Sequence, residues 1–162
     1  MNRCSVCVLG LATVQLLGCA SYARRDLARY PFPEAQAELR EVLHQIINDC
    51  ETANVAGLRN SHLNSDKFTK FGGRSYDREN FEQCTASETA NVTSGQDYKY
   101  DVSDLKIDVF GEVAVMTYYG RVSREVDGEA VRYSWRQTLV FLKTADGWKI
   151  IHEHQSRKKY IE

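Results

Sequence analysis

Asp146-Gly147-Trp148-Lys149-Ile150-Ile151-His152-Glu153-His154-Gln155-Ser156 is the run that decides how the rest of the chain is read. Asp146-Gly147 is a hairpin-turn dipeptide. Strict alternation behind it puts Trp148, Ile150, His152 and His154 on one face and Lys149, Ile151, Glu153 and Gln155 on the other. A strand that starts apolar and ends titratable begins in a core and finishes at a cavity or an interface.

Moving outward from that run, residues 131–142 read as the strand that pairs with it, and Asp127-Gly128 turns into it. Before this turn Val113, Val115, Thr117, Tyr119 and Arg121 share one face of a strand, and Ala114, Met116, Tyr118, Gly120 and Val122 the other. Gly111-Glu112 turns back to Leu105, Ile107 and Val109, and further back Tyr98, Tyr100 and Val102 alternate. Upstream of Gln96 the period is helical. Pro33-Glu34 opens a long helix, with proline and an acidic residue in the first turn. Its apolar stripe is Leu39, Val42, Leu43, Ile46, Ile47 and Cys50, with His44 on the shoulder as a surface residue. A short second helix is expected over 55–64, a short strand over 68–71 ending at Gly72-Gly73, a third helix over 76–84, and a loop over 85–95. Helices first and an antiparallel meander afterwards give an α+β domain, a curved sheet wrapped around the long N-terminal helix.

The 162 residues are 43% hydrophobic and 27% charged, which suits one domain with its own core. A formal net charge of −1 offers no basic excess for nucleic acid. Met1-Asn2-Arg3, the apolar run 4–17 and Leu16-Leu17-Gly18-Cys19 resemble a bacterial lipoprotein signal. The division implied is a signal over 1–18, an acylated Cys19 with a tether over 19–32, and the domain over 33–162. Arg24, Arg25 and Arg29 in the tether either face anionic head groups or only solubilise it. Ala20 after the cysteine fits outer-membrane attachment facing the periplasm. Cys50 and Cys84 then sit in an oxidising compartment. A bridge between them closes a loop worth about 3–4 kcal/mol in the chain-entropy model. Two buried free thiols are the alternative.

The stretch from Gly111-Glu112-Val113-Ala114 through Tyr119 and Arg121 to Asp127-Gly128, with Asp146-Gly147-Trp148 and the run His152 to Ser156, resembles the SnoaL-like group of the nuclear transport factor 2-like cone. Within that group it is similar to the association domain of calcium/calmodulin-dependent protein kinase II. Tyr76-Asp77-Arg78 with Phe81-Glu82 matches the third helix of that domain, and the resemblance covers roughly 34–158. It implies a pocket inside the cone, lined in the kinase domain by arginines and a histidine. Arg121 matches one such arginine, Gln155 and Leu139 stand where others are expected, and Asp77 takes the place of the histidine. Losing these cations weakens carboxylate binding. In that register Tyr119, Arg121, Glu153 and Gln155 face the pocket with Asp77 opposite, and His152 and His154 face a helix or a partner. Arg121, Tyr119, Glu153, Gln155, Asp77, Trp135 and His154 form the candidate ligand-binding set.

Four kinds of chemistry compete for these residues. A guanidinium beside carboxylates and a phenol binds a small polar ligand, or Arg121 and Glu153 merely pair across adjacent strands. An acid/base enzyme would use Asp77 or Glu153 as base and Tyr119 or Tyr118 as donor, although Arg121 nearby makes either carboxylate a weaker base. His152 and His154, with His62 or an acid, have weak zinc spacing. The face of Tyr118, Met116, Val122 and Trp135 serves as core or as the seam of a homodimer. No Gly-x-Ser-x-Gly elbow occurs. The reading is a lipid-anchored small-ligand-binding or homodimeric interaction domain. A general acid/base isomerase, lyase or cyclase acting on a small amphipathic substrate is the alternative, and no cofactor, resident metal or nucleic acid is expected.

Overall fold

The computed structural model describes residues 26–72 and 76–160. The lipoprotein signal, Cys19 and Gly73 lie outside the described residues. Helix α1, Pro33–Glu51, starts with proline in its first turn and buries Leu39, Leu43, Ile46 and Cys50 along one stripe. Asp49 is buried beside that stripe, where Gln45 Nε2 and Asn54 Nδ2 each donate to Oδ1 at 2.8 Å. Asn54 then caps α2, Val55–Ser61, accepting from Gly57 N at 3.2 Å.

Strands β1, Thr69–Phe71, and β2, Arg78–Glu79, precede α3, Phe81–Thr93. Four long strands follow: β3 Gln96–Phe110, β4 Val113–Val126, β5 Glu129–Thr144 and β6 Gly147–Tyr160. They form one sheet in the order β2-β1-β6-β5-β4-β3, in which only β1 and β6 run parallel. α1 lies against β3, and Gln36 Nε2 donates to Ile107 O at 3.1 Å. Ala114, Met116, Tyr118 and Val122 of β4 and Tyr133, Trp135, Leu139 and Phe141 of β5 are buried on the inner face. This is the expected α+β architecture, with the long helix against a curled sheet.

Three local expectations change. The third helix is not 76–84, and 85–95 is not a loop, because α3 runs from Phe81 to Thr93. Asn80 is its N-cap. Gln83 N donates to Asn80 Oδ1 and Asn80 N to Gln83 Oε1, both at 3.0 Å, which is a capping box. Few of its residues are buried, so apolar spacing hid the helix. α2 stops at Ser61. The third change is in phase. In β5–β6 the pairing jumps from Phe141↔Ile150 to Val140↔His152, leaving Ile151 as a β-bulge. Alternation therefore breaks there: Trp148 and Ile150 are buried, then Glu153, while His154 is exposed. A similar shift between Ser103 and Lys106 explains why the inward residues of β3 change from even to odd numbers.

Candidate functional site

Inside the curl of the sheet is a cavity of about 160 Å³. Tyr98, Tyr100, Tyr118, Tyr133, Trp135, Leu139 and Ile150 supply apolar and aromatic wall; Gln137, Gln155, His62, Lys70, Glu88 and Glu153 supply polar wall. The polar side chains are already organised. Tyr100 and Tyr118 hydroxyls lie 2.8 Å apart, and Trp135 Nε1 donates to Gln137 Oε1 at 2.7 Å. Asn91 accepts from Tyr133 OH at 3.2 Å and donates to Tyr98 OH at 3.0 Å. Burial pushes the Tyr118 and Tyr100 phenols well above their usual range, so both stay protonated and neutral.

At one end of the cavity four charged or titratable side chains and a thiol converge. Lys70, 4% exposed, comes from the middle of β1; Glu153, also 4% exposed, is turned inward by the Ile151 bulge. Lys70 Nζ is 3.1 Å from Glu153 Oε1 and donates to Glu88 Oε1 of α3 at 2.9 Å. His62, just beyond α2, puts Nε2 3.5 Å from both Glu88 Oε1 and Glu153 Oε2. Its Nδ1 donates to Leu58 O at 2.9 Å, which fixes the tautomer and leaves Nε2 facing the carboxylates. The Cys84 thiol, one turn before Glu88 on α3, donates to Glu88 Oε1 at 3.4 Å and lies 3.9 Å from His62 Nε2. Glu88 Oε2 is buried with no hydrogen-bond partner.

The electrostatics follow from this arrangement. Burial disfavours an ionised Glu153, but Lys70 and His62 more than offset it and hold the carboxyl well below the usual range. Burial likewise opposes charge on His62, and Glu88 and Glu153 outweigh it, so its pKa is raised. Burial opposes charge on Lys70 too, and the same two carboxylates keep it protonated. Burial pushes the Cys84 thiol up, with Glu88 adding to it. Lys70 and His62 thus face Glu88 and Glu153 in a closed set.

The residues read from the sequence are divided by the fold. Glu153, Gln155 and Trp135 line the cavity. Tyr119 and Arg121 do not: both are exposed on the outer face of β4, while Tyr118, one residue away, points in. A one-residue error in phase reverses a whole face of a strand. β5 lies between β4 and β6, so Arg121 and Glu153 are not on neighbouring strands and the expected cross-strand pair does not form. Asp77 is exposed ahead of β2 and is not among the lining residues. His154 is exposed with its ring 6.3 Å from Phe71, and His152 Nδ1 is 2.8 Å from Thr69 Oγ1; among the described residues no third ligand gathers with these two histidines. Cys50 and Cys84 are buried free thiols and the bridge is not formed, since Cys84 Sγ is directed at Glu88 and His62. Met116, Tyr118, Val122 and Trp135 are interior and carry no subunit seam.

Lys70, Glu88 and the His62–Cys84 neighbourhood were missed as a site. Lys70 stands between Thr69 and Phe71 in an edge-like tripeptide, a place where lysine usually faces water. Glu88 fell in a segment read as loop. The available signal was Cys84-x-x-x-Glu88, which places both on one face once the Asn80-Phe81-Glu82-Gln83 cap is recognised.

A SnoaL-like domain model matches residues 39–159. No curated protein matches the chain. Among solved structures, a candidate dehydratase of the NTF2-like family from Streptomyces avermitilis aligns with a TM-score of 0.69 and 15% identity, covering 79% of this chain and 98% of that one. A candidate ketosteroid isomerase from Shewanella frigidimarina aligns with a TM-score of 0.58 and 23% identity, covering 75% and 97%. A candidate calcium/calmodulin-dependent protein kinase II association domain from Xanthomonas campestris aligns with a TM-score of 0.64 and 16% identity, covering 74% and 85%. At these identities the likeness establishes the fold and leaves the chemistry to the site.

Proposed function

The chain belongs to the SnoaL-like domain family, and from that premise we propose that it is a binding module for a small amphipathic molecule held inside the cone. The carrying observation is the cavity of about 160 Å³, walled by four tyrosines, a tryptophan and aliphatic side chains, with the charged cluster also facing it. A cavity of about 150 Å³ takes a single benzene ring, so the ligand is of monocyclic size. Its apolar body lies against Tyr118, Trp135, Leu139 and Ile150. Its polar end meets Gln137, Gln155 and the Lys70–Glu153–His62–Glu88 cluster. Binding fits this arrangement better than acid/base turnover. A general base needs a carboxylate poised near the working pH, and Glu153 is held far below it by two cations.

p-Cresol and phenol are suitable probes, each having one aromatic ring and one polar hydrogen. Either should raise the melting temperature with concentration, by the equivalent of about 2.7 kcal/mol at a hundredfold excess over Kd. Leu139→Trp, which fills the cavity from β5, should abolish the rise. Wild-type protein whose melting temperature ignores both probes would overturn the proposal. The same proposal includes lipid attachment through Cys19 at the bacterial outer membrane, facing the periplasm. Cys19→Ser should move the protein from the membrane to the soluble fraction. It also includes a homodimer, now through the outer face of the sheet, where Tyr119 is 51% exposed beside Arg121 and Arg136. Sedimentation should report twice the chain mass, and Tyr119→Glu should halve it.

A further inference from the structure

We propose that His62, Cys84, Glu88 and Glu153 form a binding site for a divalent ion of the zinc type at the polar end of the cavity. This goes beyond ligand binding and stands independently of it. One donor atom from each of the four lies within 4.8 Å of all the others. Four of the separations are close to the edges of a coordination tetrahedron: 3.5 Å from His62 Nε2 to each carboxylate, 3.4 Å from Cys84 Sγ to Glu88, and 3.9 Å from Cys84 Sγ to His62. Zinc bonds of about 2.0 Å to nitrogen and oxygen and about 2.3 Å to sulfur place tetrahedral donors roughly 3.3–3.7 Å apart. The two remaining edges, from Glu153 to Cys84 and to Glu88, are within 4.8 Å and close on an ion by side-chain rotation.

Two further observations point the same way. His62 donates Nδ1–H to Leu58 O at 2.9 Å, the outer hydrogen bond that metal-bound histidines make, so Nε2 is the nitrogen presented to the cluster. Glu88 Oε2 is buried without a partner and is available as a donor. A nitrogen, a sulfur and two carboxylate oxygens suit zinc and cobalt, and are poorly matched to magnesium or calcium.

Lys70 does not have to leave. Glu153 meets Lys70 through Oε1 and turns Oε2 to His62, and Glu88 Oε1, which accepts from Lys70 at 2.9 Å, keeps a second lone pair for the ion. Charge also balances. With His62 protonated and no ion, Lys70 and His62 offset the two carboxylates. Uptake of a divalent ion expels one proton from the His62 imidazolium and one from the Cys84 thiol. The resulting thiolate, two carboxylates, lysine and ion again sum to zero, with no change of oxidation state. The ion ties the end of α2, the face of α3 and the middle of β6 into one joint. All four positions are taken by protein donors, the arrangement of structural zinc.

The test is equilibrium competition of chelator-stripped, folded wild-type protein against a chromogenic chelator for Zn²⁺, with Co²⁺ as the spectroscopic probe. The expected result is one ion per chain and a near-ultraviolet thiolate-to-cobalt charge-transfer band. Cys84→Ser should abolish the band and weaken Zn²⁺ binding by about 100-fold or more. The cobalt band is read on wild-type protein, so it decides the matter even if a variant fails to fold. No stoichiometric uptake would make Lys70 the permanent cation of the cluster and overturn the proposal. Uptake without a thiolate band, or unchanged in Cys84→Ser, would overturn it equally.

Discussion

Lys70 is the residue on which the interior electrostatics turn. Its ammonium sits 2.9 Å from Glu88 and 3.1 Å from Glu153, with 5% of its side chain exposed. Lys70→Met keeps the length and removes the charge, leaving two carboxylates with only His62 to offset them. Removing one partner of a buried pair typically costs about 3–5 kcal/mol, far more than the net worth of the pair. Urea unfolding of the metal-free variant should show that loss. Arg121→Ala, on the outer face of β4, should stay within about 0.5 kcal/mol of wild type. Gly120 is the second residue-scale test. A Cβ there would stand 2.5 Å from Trp135 Cζ2, so the indole lies directly on the glycine. Gly120→Ala should displace Trp135, cost about 1–3 kcal/mol by overpacking, and change the near-ultraviolet circular dichroism of that indole.

Elements divide into those that pattern announces and those that it conceals. α1 was visible because six apolar positions fall at spacings of three and four after a proline, and the meander because Asp127-Gly128 and Asp146-Gly147 punctuate alternating runs. α3 was concealed because its specification lies in the Asn80–Gln83 cap rather than in an apolar stripe. Asn80→Ala should therefore cost about 0.5–2 kcal/mol, read by thermal melts. The inward faces of β4 and β6 were concealed for a different reason. Alternation is a local rule, and the Ile151 bulge is set by pairing with β5 and β1. Thus Glu153 and Gln155 were placed inside by family resemblance, not by parity, while Tyr119 and Arg121 were carried to the wrong side. The charged cluster draws on the end of α2, β1, α3 and β6, four elements whose convergence no spacing along the chain encodes.

For the whole molecule, the cluster makes stability depend on pH in a definite sense. The folded pKa of His62 is raised above 6.5, so its contribution is complete below 6.5 and is lost as pH rises through the folded value. The folded pKa of Glu153 is depressed below 4.5, so its contribution is complete above 4.5 and is lost as pH falls through the folded value. Between 4.5 and 6.5 both contributions are present. With chelator present, the melting temperature should decline on the alkaline side of 6.5, and His62→Gln should flatten that decline. A wild-type profile rising on that side would mean His62 is not held between Glu88 and Glu153 in solution.

Ile151 is a surplus residue in the β5–β6 ladder, opposite nothing of its own. Variation in chain length is ordinarily confined to connections between strands, yet here one residue can be spared from the middle of a sheet. Shortened by it, β6 would keep the pairings Phe141↔Ile150 and Leu139↔Glu153 and hence every inward side chain. Homologues one residue shorter at this point can therefore enclose the same interior, and an alignment that assigns the gap to the nearest loop would misplace the acid by a full face.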